Sequence, residues 1–302
     1  MAPRAAGTVS PAGVVGVVGG GLMGSGIAQA AIVAGLDTRL RELTPELAKD
    51  ARARVERSLS TAVKREKITP AQRDAALDRL AVTTDLAPIA RCDVIIEAVV
   101  EDLAVKVALW QELHAQAPPS TIFASNTSSL TITAMAVASG RPDRVVGLHF
   151  FNPVPAMPLV EVVRTILTSD DTVDRATALV RQLGKEPIAA RDTSGFVVNR
   201  LLVPYMLDAI RAVEQGVASV VDIDTGMRLG AGHPMGPLTL LDFVGLDTIL
   251  RVAEIMFLEY REPRFAPPPL LRQLVTAGRY GRKSGAGFYD YSTDPPRVSA
   301  LG

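Results

Sequence analysis

The sequence predicts an α/β protein, a doubly wound parallel sheet followed by a smaller all-α C-terminal domain. Three observations carry this. Short β-branched runs alternate with helical stretches over the first two thirds of the chain. The runs are only four to six residues long, as buried parallel strands are. Near Asp192 the alternation stops, and only helical patterns with proline-rich punctuation follow. Alternating β and α segments build a parallel sheet covered on both faces.

In order, Val14–Val18 is the first strand and ends in glycines, Gly24–Ala34 is helical, and Thr38–Arg41 is a second strand. Charged, helix-favouring sequence fills Pro45–Lys67. Thr69-Pro70 reads as a helix N-cap with proline at the first helical position, opening a helix to about Leu80. Val94–Val99, Ile122–Ser125 and Val145–Leu148 are further buried strands. From Ser194 the helical stretches are Gly195–Gln215, Val220–Leu229, Pro237–Phe257 and Leu270–Ala277. The domain boundary is set near Thr193, giving domains 1–193 and 194–302. Helices of the second domain are apolar on more than one face (Phe196-Val197-Val198, Leu201-Leu202-Val203), which suggests a subunit interface and a homodimer.

Lysine plus arginine equals aspartate plus glutamate at 32 each, so no global basic field points to nucleic acid or an anionic membrane. The single cysteine, Cys92, excludes an internal disulfide and a cysteine-rich metal site, and no metal is expected. No stretch is long and apolar enough to span a bilayer. Met1–Gly13, rich in Ala, Pro, Gly and Ser, reads as a disordered lead-in rather than a signal peptide. The expectation is a soluble, cytoplasmic protein.

Gly19-Gly20-Gly21-Leu22-Met23-Gly24 has the form G-x-G-x-x-G between a strand and a helix. Gly19 allows the tight turn, Gly21 lets a pyrophosphate approach the backbone, and Gly24 lets helix and strand pack closely; the helix N-terminus offers N–H groups to phosphate. Glu42 ends the second strand, about 20 residues on, where this Rossmann-type fingerprint wants an acidic residue for a ribose 2′-hydroxyl. A carboxylate there repels a 2′-phosphate, and Arg39 and Arg41 alternate to the opposite face of the strand. The expected cofactor is NAD rather than NADP.

Open α/β sheets bind ligands at the carboxyl ends of their strands. There, Ile122–Ser125 runs into Asn126-Thr127-Ser128-Ser129, and Val145–Leu148 runs into His149. Of the three histidines, His114 sits on a polar helix and His233 in a Gly/Pro turn; only His149 ends a strand. Glu161 lies in an apolar run, Pro158–Val163, and a carboxylate buried there needs a partner. An imidazole can take up a hydroxyl proton and return it near neutral pH, and a carboxylate on its other nitrogen fixes the tautomer. His149 and Glu161 are therefore the candidate acid/base pair for oxidising an alcohol.

The chain resembles the 3-hydroxyacyl-CoA dehydrogenases, and among them the short bacterial 3-hydroxybutyryl-CoA dehydrogenases. The resemblance runs from about Gly16 to Tyr291. Its landmarks are Val18-Gly-Gly-Gly-Leu-Met-Gly-Ser-Gly-Ile-Ala-Gln29, Ile96-Glu-Ala-Val-Val-Glu101, Ala124-Ser-Asn-Thr-Ser-Ser-Leu130 and Gly147-Leu-His-Phe-Phe-Asn-Pro-Val-Pro155. Later ones are Ser194-Gly-Phe-Val-Val-Asn-Arg-Leu-Leu202, His233-Pro-Met-Gly-Pro237, Val244-Gly-Leu-Asp-Thr248 and Lys283-Ser-Gly-Ala-Gly-Phe-Tyr289.

The resemblance implies interconversion of (S)-3-hydroxyacyl-CoA and 3-ketoacyl-CoA with NAD(H), short chains foremost. It implies His149 as acid/base, Glu161 as its partner, and Ser128 and Asn199 as contacts of the substrate's reacting oxygen. Glu101, Lys106 and Asn126 match positions lining the nicotinamide and thioester region; Ser58, Lys64 and Arg65, with Lys67, match the segment that contacts coenzyme A. Two alternatives stand beside it: the same chemistry on a group bound to an acyl carrier protein, and a non-catalytic NAD-binding structural protein.

Overall fold

The computed structural model describes residues 13–128 and 130–300. The expected lead-in, apart from Gly13, and Ser129 lie outside the described residues. The chain divides into two units, one ending at Phe196 and one beginning at Val197.

In the first unit the β-branched runs pair as anticipated by their length and apolarity. Strands β1 (Val14–Val18) and β2 (Asp37–Arg41) are joined by helix α1 (Leu22–Val33). Helix α2 (Pro45–Lys64) starts at Thr44, whose hydroxyl accepts from the Leu47 N–H. Helix α3 (Pro70–Leu77) opens on the predicted Thr69-Pro70 cap, with Gln72 closing a reciprocal capping box. Then follow β3 (Leu80–Thr83), α4 (Ala87–Ala90), β4 (Val94–Glu97), α5 (Leu103–His114), β5 (Ile122–Ser125), α6 (Ile132–Ala138) and β6 (Val145–Phe150). Strand β7 (Leu159–Arg164), α7 (Asp170–Gln182) and β8 (Glu186–Arg191) complete the sheet, in the order β3-β2-β1-β4-β5-β6-β7-β8.

The sheet is not wholly parallel. Strand β7 pairs antiparallel with β6, and β8 parallel with β7. Residues 151–158 are too short for a crossover helix, so the chain returns alongside β6. That reversal sets His149 directly across from Glu161. Strands β3, β7 and β8 escaped the sequence reading. In β8 the charged ends Glu186 and Arg191 and the proline at 187 blur the apolar pattern, as edge strands tolerate.

Apolar clusters cover both sheet faces. One joins Ile27, Ala31, Val55 and Leu59 of α1 and α2 to Val17, Leu40 and Ile96; the other joins Trp110, Leu113 and Met135 of α5 and α6 to Ile95 and Phe123. Trp110 stacks on Phe123 with centroids 4.8 Å apart.

The second unit is helical: α8 (Val198–Glu214), α9 (Val220–Gly230), α10 (Pro237–Val244), α11 (Leu246–Tyr260) and α12 (Pro269–Thr276), followed by the short strands β9 (Tyr289–Asp290) and β10 (Arg297–Val298). Its core includes Leu207, Ile210, Leu241, Ala253, Met256, Phe265 and Phe288. Leu201, Leu229 and Leu258 remain well exposed. Among the described residues no helix is long and apolar enough to cross a membrane.

Candidate active site

The antiparallel register fixes the site's central pair. Residues directly opposite on antiparallel strands present their side chains on one face. His149 Nδ1 lies 2.5 Å from Glu161 Oε2, with Glu161 fully buried and His149 nearly so. An unpartnered carboxylate at this depth would cost several kcal/mol. The rings of Phe151 and Phe196 pack at 4.6 and 5.4 Å from the imidazole centroid, leaving it little freedom to tilt. With Nδ1 held to a carboxylate, a neutral ring carries its proton there, and Nε2 is the free base.

A second polar cluster occupies the ends of β4 and β5, between the dinucleotide turn and His149 in the strand order. Its root is Glu97, fully buried at the last position of β4. Glu97 Oε1 accepts from Lys106 Nζ at 2.5 Å and from the Val99 N–H at 2.9 Å; Oε2 accepts from the Ser125 hydroxyl at 2.7 Å. Lys106 is itself 1% exposed and reaches Glu101 at 3.2 Å. Glu101 in turn accepts from the Thr127 hydroxyl at 2.5 Å and the Ser128 N–H at 3.2 Å. Burial pushes the Glu101 carboxyl upward, but the Lys106 charge and the hydrogen bonds from Thr127 and Ser128 outweigh it and hold the group below its ordinary value. Asn126 Oδ1 accepts the Phe150 N–H at 2.9 Å, tying the end of β5 to β6 beside His149.

The glycine turn fits a dinucleotide. Gly19 has φ +95°, and a Cβ there would lie 2.7 Å from the Ala98 carbonyl oxygen. A Cβ on Gly24 would sit 1.7 Å from the Gly19 carbonyl oxygen, so helix and turn approach as the fingerprint requires. A Cβ on Gly21 would meet nothing within 4 Å, and no side chain caps the N-terminus of α1 there. Leu22, the first helical residue, is 64% exposed, whereas Met23 is half-buried. Glu42 lies against the turn, accepting the Gly20 N–H at 2.5 Å. Arg39 and Arg41 are engaged with the carbonyls of Pro88 and Thr84.

A cavity of about 520 Å³ lies in the same unit, lined by Ser58, Arg65 and Lys67, by the Pro153–Pro158 connection and by Lys185. Lys64 is exposed and does not line it. Lys185 is a buried lysine whose ammonium donates to the carbonyls of Val154 and Met157 at 2.6 and 2.7 Å, and burial lowers its pKa. The connection between the strands of the His149–Glu161 pair is therefore both a wall of this cavity and the load held by Lys185.

Asn199 is half-buried in the first turn of α8, in the second unit. His114 accepts from Arg141 Nε at 3.1 Å, and His233 pairs with the Tyr205 hydroxyl at 3.0 Å. Sequence reasoning overlooked Glu97, Ser125 and Lys185. For Glu97 the signal was present: a carboxylate in the apolar run Val94-Ile-Ile-Glu-Ala-Val-Val100, the pattern that singled out Glu161.

The chain matches the family description "3-hydroxyacyl-CoA dehydrogenase, NAD binding domain" over residues 14–193 and "3-hydroxyacyl-CoA dehydrogenase, C-terminal domain" over residues 195–291. It is 50% identical over 279 residues to a 3-hydroxybutyryl-CoA dehydrogenase of Mycobacterium tuberculosis, covering 92% of this chain and 98% of that one. Among solved structures, FadB2 of M. tuberculosis superposes with a TM-score of 0.92 at 48% identity, covering 94% of this chain and all of the other. The (S)-3-hydroxybutyryl-CoA dehydrogenase PaaH1 of Ralstonia eutropha gives 0.90 at 43% identity, covering 93% and 100%. With both domain descriptions matched in order and a dinucleotide turn that fits NAD, the chain belongs to the 3-hydroxyacyl-CoA dehydrogenase family and is an NAD-dependent dehydrogenase.

Proposed function

We propose that this protein interconverts (S)-3-hydroxyacyl-CoA and 3-ketoacyl-CoA, with short acyl chains such as 3-hydroxybutyryl preferred, and that His149 is its acid/base. The observation that carries the reading is the buried His149–Glu161 pair at 2.5 Å, with His149 near the carboxyl end of β6, the end at which open α/β sheets bind ligands. When bound, NAD supplies the hydride acceptor and NADH the donor. Gly19, Gly21, Leu22, Met23 and Gly24 would hold its pyrophosphate, Glu42 its adenosine ribose, and Glu101, Lys106 and Asn126 its nicotinamide end.

In the oxidising direction His149 Nε2 takes the hydroxyl proton, and Glu161 balances the imidazolium through Nδ1. In the reducing direction the same proton is returned to the nascent alkoxide. Ser128 and Asn199 are the proposed contacts of the reacting oxygen. Phe151 and Phe196 keep the imidazole from turning, so proton transfer costs little reorganisation.

Ser58 and Arg65, joined by Lys67, support a clamp for the phosphate-bearing end of coenzyme A in the 520 Å³ cavity, and Lys64 adds charge nearby. A cytoplasmic homodimer joined through the helical unit is part of the proposal, motivated by exposed Leu201, Leu229 and Leu258. Sedimentation of the purified protein as a monomer at micromolar concentration would remove the dimer.

The direct test mixes purified protein with NADH and acetoacetyl-CoA and follows the loss of nicotinamide absorbance, across a chain-length series and with NADPH alongside. Turnover fastest with short CoA thioesters and NADH is expected. Turnover only with carrier-protein thioesters would transfer the chemistry to that substrate class. NADH binding without turnover of any acyl donor would sink the enzymatic reading.

A further inference from the structure

Lys185 is a buried cation with no part in the proton transfer. It is 9% exposed, immediately before β8, and its ammonium donates to the carbonyls of Val154 and Met157 at 2.6 and 2.7 Å. An ammonium has three donors, and carbonyl oxygens offer only partial charge. Among the described residues Lys185 has no acidic partner. Buried lysines are rare unless paired, and an uncompensated buried charge is costly. Clasping two carbonyls needs donors but no charge, so architecture alone does not account for a lysine here. Lys185 also lines the cavity of about 520 Å³, together with Arg65 and Lys67, and among the described residues no aspartate or glutamate lines it. Glu66 and Glu186, next in the chain to these cations, are exposed and stay outside the lining. The wall is therefore positive, with no anion of its own.

We propose that Lys185 receives a phosphate of the coenzyme's nucleotide end, and so makes the enzyme prefer a coenzyme A thioester over a pantetheine thioester of the same acyl group. This rests on the reading that the cavity takes the phosphate-bearing end of coenzyme A. Lys185 differs from the other two cations in burial. Arg65 and Lys67 are exposed, where water and salt weaken an ion contact, whereas Lys185 acts from a poorly solvated wall. The carbonyls that hold it belong to the 151–158 connection between the strands of His149 and Glu161. Val154 of that connection also packs on α1, where a Cβ on Gly26 would lie 2.9 Å from the Val154 Cβ. The charge is thus fixed relative to both the catalytic pair and the helix of the dinucleotide turn. A phosphate seated on it gives the thioester a defined starting point for its reach toward His149.

The test is Lys185→Met, which keeps an unbranched side chain but removes the charge and the donors. Wild type and variant are compared by kcat/KM with acetoacetyl-CoA and with acetoacetyl-pantetheine, which carries the same acyl group and no phosphate. The wild type is expected to prefer the CoA thioester, and the variant to lose about tenfold or more of that preference, the scale of one charge-assisted hydrogen bond in a poorly solvated site. Any loosening of the 151–158 connection lowers both values and cancels in their ratio, which separates phosphate recognition from a merely structural role. An unchanged ratio in a folded variant would overturn the proposal while leaving the Arg65 clamp intact. A wild type indifferent to the two thioesters would remove the coenzyme cavity itself, and Lys185 with it. If Lys185→Met fails to fold, crystals of the wild type with bound coenzyme A give the answer. A phosphate oxygen about 2.7–2.9 Å from Lys185 Nζ is expected. Coenzyme bound with every phosphate beyond hydrogen-bonding reach of that atom is equally fatal.

Discussion

Both units of the protein bury carboxylates, but they satisfy them differently. In the sheet unit Glu161 faces His149, and Glu97 and Glu101 share Lys106. In the helical unit Asp224 accepts from the N–H groups of Leu238 and Thr239 and from the hydroxyls of Thr239 and Tyr289. Asp242 accepts from the N–H groups of Phe288 and Tyr289 and from the Tyr291 hydroxyl. Asp224 thus caps the start of α10 from α9, and Asp242 ties α10 to the stretch leading into β9. Backbone N–H partners make a carboxylate an architectural clamp. A titratable or cationic side chain makes it part of a device whose charge can change or be felt by a ligand. The partner, more than the burial, separates chemistry from construction.

The sharpest break of that contrast is His149→Gln. Glutamine can still hydrogen-bond Glu161 but cannot cycle a proton, so kcat is expected to fall by ~100-fold or more, the usual scale of lost acid–base catalysis. NADH affinity should stay near wild type. Steady-state turnover with acetoacetyl-CoA and a fluorescence titration of NADH check the two halves, and near-normal kcat would remove His149 from its role.

Asp242→Asn is the counterpart in the helical unit. One carboxylate oxygen becomes an NH₂ group facing an N–H donor, leaving a buried group unsatisfied at a cost of about 1–3 kcal/mol. Urea denaturation should register that loss, while kcat in the protein that remains folded stays close to wild type. A large fall in kcat without a fall in stability would place Asp242 among the chemical carboxylates and defeat the distinction.

Exposed charge tests the same idea at lower stakes. Arg65 lines the 520 Å³ cavity but stands largely in water, where an ion contact is worth little. Arg65→Ala is expected to raise KM for acetoacetyl-CoA by roughly 3–10-fold, the scale of one charge-assisted phosphate contact, with kcat retained. A pantetheine thioester lacking the nucleotide should show no such change. Equal changes for both substrates would detach the cavity from the coenzyme's phosphates.

These differences were unequally legible in the sequence. Periodicity and the glycine fingerprint revealed strands β1, β2, β4, β5 and β6 and the dinucleotide turn because both depend on local residue pattern, whereas the short parallel strands β3 and β8 were missed. Glu161 could be found because an acid in an apolar run demands a partner, and His149 was the histidine at a strand end. That the two are register partners was not readable, because the reversal of β7 depends on how the 151–158 connection returns the chain. Lys185 was hidden for a different reason. A lysine just after Gly184 at a helix end normally points into water, and only the tertiary fold brings the carbonyls of Val154 and Met157 to it. Asp242 sits one helical turn after Leu238 and between Leu241 and Phe243, and nothing local announces the chain stretch some 45 residues later that it binds.

The smallest effect separates the two kinds of carboxylate by sign. Asp242 is pushed above its ordinary value, chiefly by burial, with the nearby Asp224 charge adding to it and the bonds from Tyr289, Phe288 and Tyr291 opposing it. The folded state therefore holds that proton more tightly than the unfolded chain. Its contribution to stability is fully present below the ordinary aspartate range and is lost as pH rises through the folded value. Glu101 is held below its ordinary value, so its contribution is present above the ordinary glutamate range and is lost as pH falls through the folded value. Thermal melts across the acidic range should show this as opposite slopes, with changes of roughly a few degrees. The Tm gap between wild type and Asp242→Asn should narrow as pH rises, because the wild type loses a contribution that asparagine never had. The gap between wild type and Glu101→Gln should widen over the same rise. Parallel slopes in the two variants would mean that the carboxylates of the two units titrate alike, and that the choice of partner does not divide them.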